Sequence, residues 1–559
     1  MPTEVDISKI ELPNGTTYNL KSGTKGAGEV DISKIVLPDG TICNIKGGGS
    51  EIFAHLYVNI DSGAVVTATS TNATYTATAG SGDEAFIEIG KAGTYTISAT
   101  KNGLSSSTTT VSILESGGVY NETVNFIRLT INVPSGSSYT ITDGTTTISG
   151  TSSGDDIFNY LPNTGNWTVS CTDGTDNASE TITVSSYTDY LVILVYARTY
   201  GVSWNKSSSS VLTRTDDAAS FSNPVPFIND GKHPGSSPFD TLMPWSGMEK
   251  VTIDGNVLVK IPKFWFKWTR NSSTLKLQIS NAKQEGFMVS PAHQARNSNE
   301  QDRDFVYIGR YKCVNDTSDA TNDYKSQSGK SPMTNITRAT ARTLISWLGT
   351  GYWQQDFAMF WTIRMLYLVE FADWNSQATI GNGCGNGSSV VSTGSTDSMP
   401  YHTGSMQYYR TSYNGGTQYR WIEGLWDNVF EWCDGIFFAG TSKLGVYIVK
   451  NPANFTDTDT TNAVNVGQRV VTSECISDFF VPSKSGYEWA LYTNAVSGTD
   501  YSKYVADRCI YNSSGVVLRI GGCYTQNQSY GMFYLLGNDG ASNQSSNIGS
   551  RLMYLPPNS

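Results

Sequence analysis

The groups that could carry chemistry in this chain are its thiols, its imidazoles and two glycine-rich turns, and their spacing argues against most reactions. Eight cysteines stand at 43, 171, 313, 384, 433, 475, 509 and 523 with no C-x-x-C pair, so neither a thiolate metal cluster nor a dense disulfide framework is expected. The four histidines are His55, His233, His293 and His402. None stands in an H-E-x-x-H spacing, and none lies near Cys523 in sequence to act as the base a thiol nucleophile needs. Gly150-Thr-Ser152-Ser-Gly154 matches G-x-S-x-G, but its surroundings read as strands and turns rather than a strand-to-helix elbow. Gly329-Lys330-Ser331 resembles the end of a phosphate loop, yet Tyr324 replaces the required first glycine. The chain is therefore expected to bind rather than to catalyse.

The segment that reads as a binding surface lies at the C-terminus. Leu518-Arg519-Ile520-Gly521-Gly522 opens it and Ile548-Gly549-Ser550-Arg551-Leu552 closes it. Between them, 523–547 is dominated by Tyr, Ser, Asn, Gln and Gly, with Asp539 as its one charged residue. Tyrosine gives a large amphipathic contact area at little entropic cost, and Ser, Asn and Gly add adaptable hydrogen bonds, the mixture found in antibody loops. A catalytic segment would carry titratable groups here.

Composition narrows the partners. The 559 residues carry a net charge of -11 and only 16% are charged, so the basic footprint needed for phosphates or anionic lipid is missing, and no nucleic acid is expected as a partner. The longest apolar run, 190–197, is too short to span a bilayer and reads as a buried strand, so no membrane insertion is expected. The first residues, Met1-Pro2-Thr3-Glu4, are not a basic region followed by an apolar stretch, so no secretory signal is expected.

Four regions must position the terminal segment. In 1–50, Glu4 to Ile10 recurs as Glu29 to Ile35, and Leu12-Pro13-x-Gly15-Thr16 recurs as Leu37-Pro38-x-Gly40-Thr41, which predicts two small hairpins around Pro-x-Gly turns. Alternating segments in 51–120, such as 56–60 and 94–99, and in 121–199, such as 129–133 and 167–170, predict two consecutive immunoglobulin-like β-sandwiches acting as spacers. From 200 to 559 the chain is rich in tryptophan and reads as one large α+β domain. Helical spacing is visible at Ala341, Leu344, Ile345 and Leu348, and again at Phe357, Phe360, Trp361, Met365, Leu368 and Phe371.

Within that domain, Gly424-Leu-Trp426-Asp-Asn428-Val-Phe430-Glu431-Trp432-Cys433-Asp434, the Arg519-Ile-Gly521-Gly522 stretch and Gly549-Ser550-Arg551 resemble three successive motifs of the formylglycine-generating-enzyme-like branch of the C-type lectin fold: G-N-V-W-E-W-x-x-D, R-G-G-x-W and G-F-R. The resemblance covers the last 140 or so residues, with Phe430 and Tyr524 where Trp is usual and Ser550 where Phe is usual. It implies an α+β lectin-like fold in which Arg519, Gly521, Gly522, Glu431, Trp432, Gly549 and Arg551 form a scaffold. The residues agree, since buried charges such as Glu431 and the two arginines must be paired. Enzymes of that branch use a copper-binding cysteine pair with four residues between the thiols; here Cys523 is followed by Gln528 at the second position, so an oxidoreductase on this fold is a weaker alternative.

The whole architecture is similar to tail or receptor-binding proteins of phages of Gram-positive and gut bacteria. The similarity rests on the N-terminal repeats, on Val259-Lys-Ile-Pro262-Lys-Phe-Trp265-Phe-Lys267, on Gly286 to His293 and on Val306 to Tyr311. It implies a virion location, reached outside the cell on host lysis. The implied partners are other tail proteins and a bacterial surface protein or glycan, with a homo-oligomer, by analogy a trimer. In many such proteins the terminal lectin-like segment is rewritten by diversity-generating retroelements. The candidate contact residues are Tyr524, Thr525, Asn527, Ser529, Tyr530, Phe533, Tyr534, Asn538, Asp539, Ser542, Ser545 and Asn547. Gln526, Gln528 and Gln544 do not arise from an asparagine codon by adenine substitution, which separates binding from programmed variation. A virion decoration protein without a receptor is the structural alternative. No cofactor is expected, although Asp427-Asn428 and Asp457-Thr458-Asp459 could supply some of the oxygens calcium takes.

Overall fold

The computed structural model describes residues 53–206, 209–315, 324–384, 387, 389–407, 415–526 and 530–557, together with four three-residue strands in the first fifty residues. The fold is mainly β and divides into two compact units, Met1–Tyr196 and Ala197–Ser559.

In the first unit each sequence repeat contributes an antiparallel strand pair. Lys9–Glu11 pairs with Thr17–Asn19, and Lys34–Val36 pairs with Ile42–Asn44, with Ile10 opposite Tyr18 and Ile35 opposite Cys43. Two sandwiches follow. The first packs Gly118–Thr123, Ala54–Asn59 and Glu84–Ile89 against a sheet built on Gly93–Lys101 and Val65–Thr69. Alternate residues of each strand enter the core, among them Leu56, Val58, Ile87, Tyr95 and Ile97, which is the period-2 pattern of a strand with one wet face. The second packs Ile157–Leu161, Ile127–Asn132 and Asp189–Ile193 against a four-stranded sheet around Trp167. In both sandwiches the last strand runs parallel to the first. Strand Gly118–Thr123 places the end of the first sandwich beyond residue 120, and strand Thr199–Trp204 belongs to the second unit.

The second unit is organised around one buried helix. Helix α1 spans Arg338–Ser346, with Thr337 as its N-cap, and α2 spans Phe357–Phe371. Asp356 caps α2 by accepting from the Met359 N–H at 2.7 Å, and left-handed Ala372 (φ 52°) ends it. Spacing alone suggested one apolar stripe on α2, but all fifteen of its residues are buried. Its charged members find partners inside the protein: Glu370 pairs with Arg420 at 2.6 Å, and Arg364 Nε donates to the Met532 carbonyl at 3.0 Å. The helix packs against strands Thr199–Trp204, Leu275–Ser280 and Phe430–Ala439. The last of these lies within a sheet in the order Val464–Gln468, Gly445–Ile448, Phe430–Ala439, Val517–Ile520, Leu535–Asp539, Arg508–Tyr511, Thr472–Phe480 and Tyr492–Val496. Among the described residues no helix is long and apolar enough to cross a membrane.

Candidate ligand-binding face

Pairing in this sheet brings the three motif segments together. Phe430–Ala439 runs antiparallel to Val517–Ile520, with Glu431 opposite Ile520 and Trp432 opposite Arg519. It also runs parallel to Ile548–Gly549, with Glu431 opposite Gly549. At the junction the Arg551 guanidinium meets the Glu431 carboxylate at 2.7 Å, and Lys312 Nζ donates to the same oxygen at 2.7 Å. Arg551 also donates to the carbonyls of Gly309 (2.8 Å), Arg310 (2.9 Å) and Glu423 (2.7 Å). Burial alone would raise the Glu431 pKa, but Arg551 and Lys312 outweigh it and hold the carboxyl at about 2. The Trp432 indole N–H donates to the Ile336 carbonyl at 2.8 Å.

The frame glycines sit where a side chain has no room. Gly521 is left-handed (φ +69°), and a Cβ there would lie 2.6 Å from the Leu425 carbonyl oxygen. A Cβ on Gly522 would lie 2.5 Å from the carbonyl oxygens of Trp426 and Tyr530.

The candidate contact residues divide by burial. Thr525 and Ser542 are exposed, and Tyr524, Tyr530, Asn538, Ser545 and Asn547 are half-buried. Backbone bonds tie this loop to its neighbours: the Tyr524 N–H donates to the Asn428 carbonyl at 2.7 Å, and the Asn547 carbonyl accepts from the Phe430 N–H at 2.9 Å. Cys523 lies beneath, 1% exposed, with its sulfur 3.1 Å from Thr525 Oγ1 and 3.5 Å from Asn547 Nδ2. Asn527 and Ser529 lie outside the described residues.

Three of the candidates, Phe533, Tyr534 and Asp539, are buried rather than at the surface. Phe533 is 0% exposed and packs on Trp374 and Tyr367, with ring centroids 4.8 and 5.9 Å apart, so it belongs to the core around α2. Tyr534, 1% exposed, stacks on Phe430 at 5.9 Å. Asp539 is buried beside Arg519, whose Nε lies 2.5 Å from one carboxylate oxygen without hydrogen-bond alignment, while Nη2 donates to the other at 3.2 Å. The Arg519 guanidinium in turn lies over the Phe430 ring at 4.8 Å. These three residues therefore hold the loop from beneath.

Asp507 was invisible to motif reasoning. It is fully buried, and its two oxygens accept from the N–H groups of Gly531 (2.6 Å) and Phe533 (2.8 Å), fixing the base of the loop. Burial raises its carboxyl to about 7, against the pull of those two donors toward the charged form. Ser376 assists by accepting from the Met532 N–H at 2.9 Å.

No family model matches the chain, and no curated protein matches it. The solved structures that resemble parts of it weakly include the following two. The Bacillus anthracis TIE protein aligns at 12% identity and a TM-score of 0.12 over 27% of this chain, which covers only 39% of that protein. A Streptococcal ancillary pilin aligns at 7% identity and a TM-score of 0.14, over 46% of this chain and 88% of that one. At these scores neither likeness carries an argument.

The remaining candidate chemistry is engaged elsewhere. Burial lowers His293 to about 3; its ring nitrogens lie 2.6 Å from Ser290 Oγ and 2.9 Å from the Ile261 carbonyl. His402 bonds Asp240 and Thr403, and His233 bonds Asp230. Ser152 donates to the Val133 carbonyl at the end of a strand pair, not at an elbow. The oxygens considered for calcium already have protein partners. Asp427 accepts from Cys384 and Thr417, Asn428 bonds Val391, Asp457 pairs with Arg338 and Arg342, and Asp459 accepts from Thr461. Among the described residues no group of three or more His, Cys, Asp or Glu side chains is placed to hold a metal ion.

Proposed function

We propose that this chain is a phage tail-tip receptor-binding protein that recognises a bacterial surface protein or glycan through the loop of 524–547. The observation that carries the reading is the separation of shape from surface. The Arg551–Glu431–Lys312 network, the crowded glycines and Asp507 fix the loop's base, while Tyr524, Thr525, Ser542 and Ser545 remain accessible. Such residues can change without loss of fold, as a binding loop on a rigid scaffold requires.

In this reading the second unit is an α+β domain of the C-type-lectin, formylglycine-generating-enzyme-like kind, and the two sandwiches are immunoglobulin-like spacers. The N-terminal hairpins anchor the chain in the virion. Several copies, a trimer by analogy, act together, and linked weak sites gain about 10²–10⁴ in avidity. No cofactor takes part in recognition. Adsorption of the full chain to bacterial cells tests the reading: Tyr524→Ala and Thr525→Ala should abolish it, and Cys523→Ser should not. Adsorption that survives Tyr524→Ala, Thr525→Ala and Ser542→Ala together would favour a decoration role.

A further inference from the structure

A second surface of the C-terminal unit carries strain, an aromatic ring and an unpaired cation together. Strands Thr417–Tyr419 and Ile422–Glu423 are joined by a two-residue turn, Arg420-Trp421, with Tyr419 opposite Ile422. Both turn residues are left-handed, at φ 45° and 71°. That geometry ordinarily takes Asn-Gly, and two bulky residues adopt it only when their surroundings over-determine it.

Arg420 supplies that determination. Its guanidinium is buried and bonded to both oxygens of Glu370, at 3.1 and 2.6 Å, and lies 3.0 Å from Asp240. The Trp421 carbonyl accepts from Arg310 at 2.5 Å, and its N–H donates to the His402 carbonyl at 2.9 Å. The backbone is thus pinned on both sides, and the indole is left half-buried at the surface with His402 edge-on at 5.8 Å.

Over the ring, 4.4 Å from its centroid, lies the ammonium of exposed Lys250. Among the described residues no carboxylate pairs with Lys250. The acid nearest in influence, Asp397, is committed to Arg310, Tyr311 and Ser328.

We infer that Trp421 and Lys250 form a binding site, separate from the 524–547 loop, for a pyranose bearing a carboxylate. The C–H face of the sugar ring stacks on the indole, and the carboxylate takes the Lys250 ammonium, which moves off the ring to meet it. A neutral sugar would have to compete with the cation already on the ring, so the charge selects the ligand.

The test is calorimetric titration of the full chain with a galacturonic acid trisaccharide and with its neutral galactose counterpart. The acidic sugar should bind at least tenfold more tightly, and binding should weaken as salt rises. Trp421→Ala should reduce affinity at least tenfold. Lys250→Ala, an exposed change that leaves the fold intact, should erase the preference for the acidic sugar. Tyr524→Ala should leave this binding unchanged, which separates the site from the loop. Failure of both sugars to bind, equal affinity for the two, or binding indifferent to both Trp421→Ala and Lys250→Ala would each overturn the inference.

Discussion

Arg551 and Glu431, 120 residues apart in sequence, meet as a fully buried ion pair at 2.7 Å beneath the loop of 524–547. Glu431→Ala strands the Arg551 and Lys312 cations in the interior, and Arg551→Ala leaves Glu431 with Lys312 alone and takes the donor from three buried carbonyls, so each should cost about 3–5 kcal/mol. Arg551→Lys should recover little, because an ammonium cannot also reach the carbonyls of Gly309, Arg310 and Glu423. Urea denaturation of each variant measures this.

The same pair sets an acid limit. Glu431 is held at about 2, below its unfolded value, so the stability it contributes is present above roughly pH 4.5 and is lost as pH falls toward 2. Denaturation midpoints taken across that window should fall steeply, and Glu431→Gln should flatten the dependence.

Asp507 works in the opposite direction. Its folded pKa, raised to about 7 by burial, lies above the unfolded value. The stability tied to its neutral form is therefore complete below about pH 4 and declines as pH rises to about 7. Asp507→Asn should remove that slope. Below about pH 4 it should lower stability, since the amide nitrogen cannot accept an N–H as the second carboxyl oxygen does, and that deficit should shrink or reverse as pH rises toward 7. Midpoints measured between pH 4 and 8 decide it.

Two glycines, one in the frame before the segment and one within it, should behave differently. Gly522→Ala places a Cβ 2.5 Å from two carbonyl oxygens and should cost about 1–3 kcal/mol, whereas Gly540 faces open space and its replacement by Ala should be neutral or slightly stabilising. Thermal melts of the two variants check the contrast.

Much of the frame can be read from sequence because its residues are ones whose burial demands a partner or whose backbone demands glycine: Arg551, Glu431, Gly521 and Gly522. Composition alone puts Phe533 and Tyr534 on the surface because it does not say which way a residue faces. They lie immediately before strand Leu535–Asp539, where the chain turns inward against Trp374 and Phe430. Asp539 reads as solvated because it is an isolated acid in a polar run, and nothing nearby in sequence announces Arg519 beside it. Asp507 gave no motif at all, since the groups it holds lie 24 and 26 residues further along. Its one sequence signal is an acid near the apolar residues Val505, Ala506, Cys509 and Ile510. The turn at Arg420-Trp421 was equally hidden, because nothing in an Arg-Trp pair announces two left-handed residues.

The division between a fixed base and a selecting surface is tested most directly by measuring two quantities on the same variants of the full chain: adsorption to a panel of Gram-positive and gut bacterial cells, and the melting temperature. The account predicts that Tyr524→Ala, Thr525→Ala and Ser542→Ala abolish or redirect adsorption with the melting temperature unchanged, while Phe533→Ala and Tyr534→Ala lower the melting temperature, at a cost of about 3–5 kcal/mol for a buried aromatic ring. Adsorption that survives all three surface substitutions would contradict it.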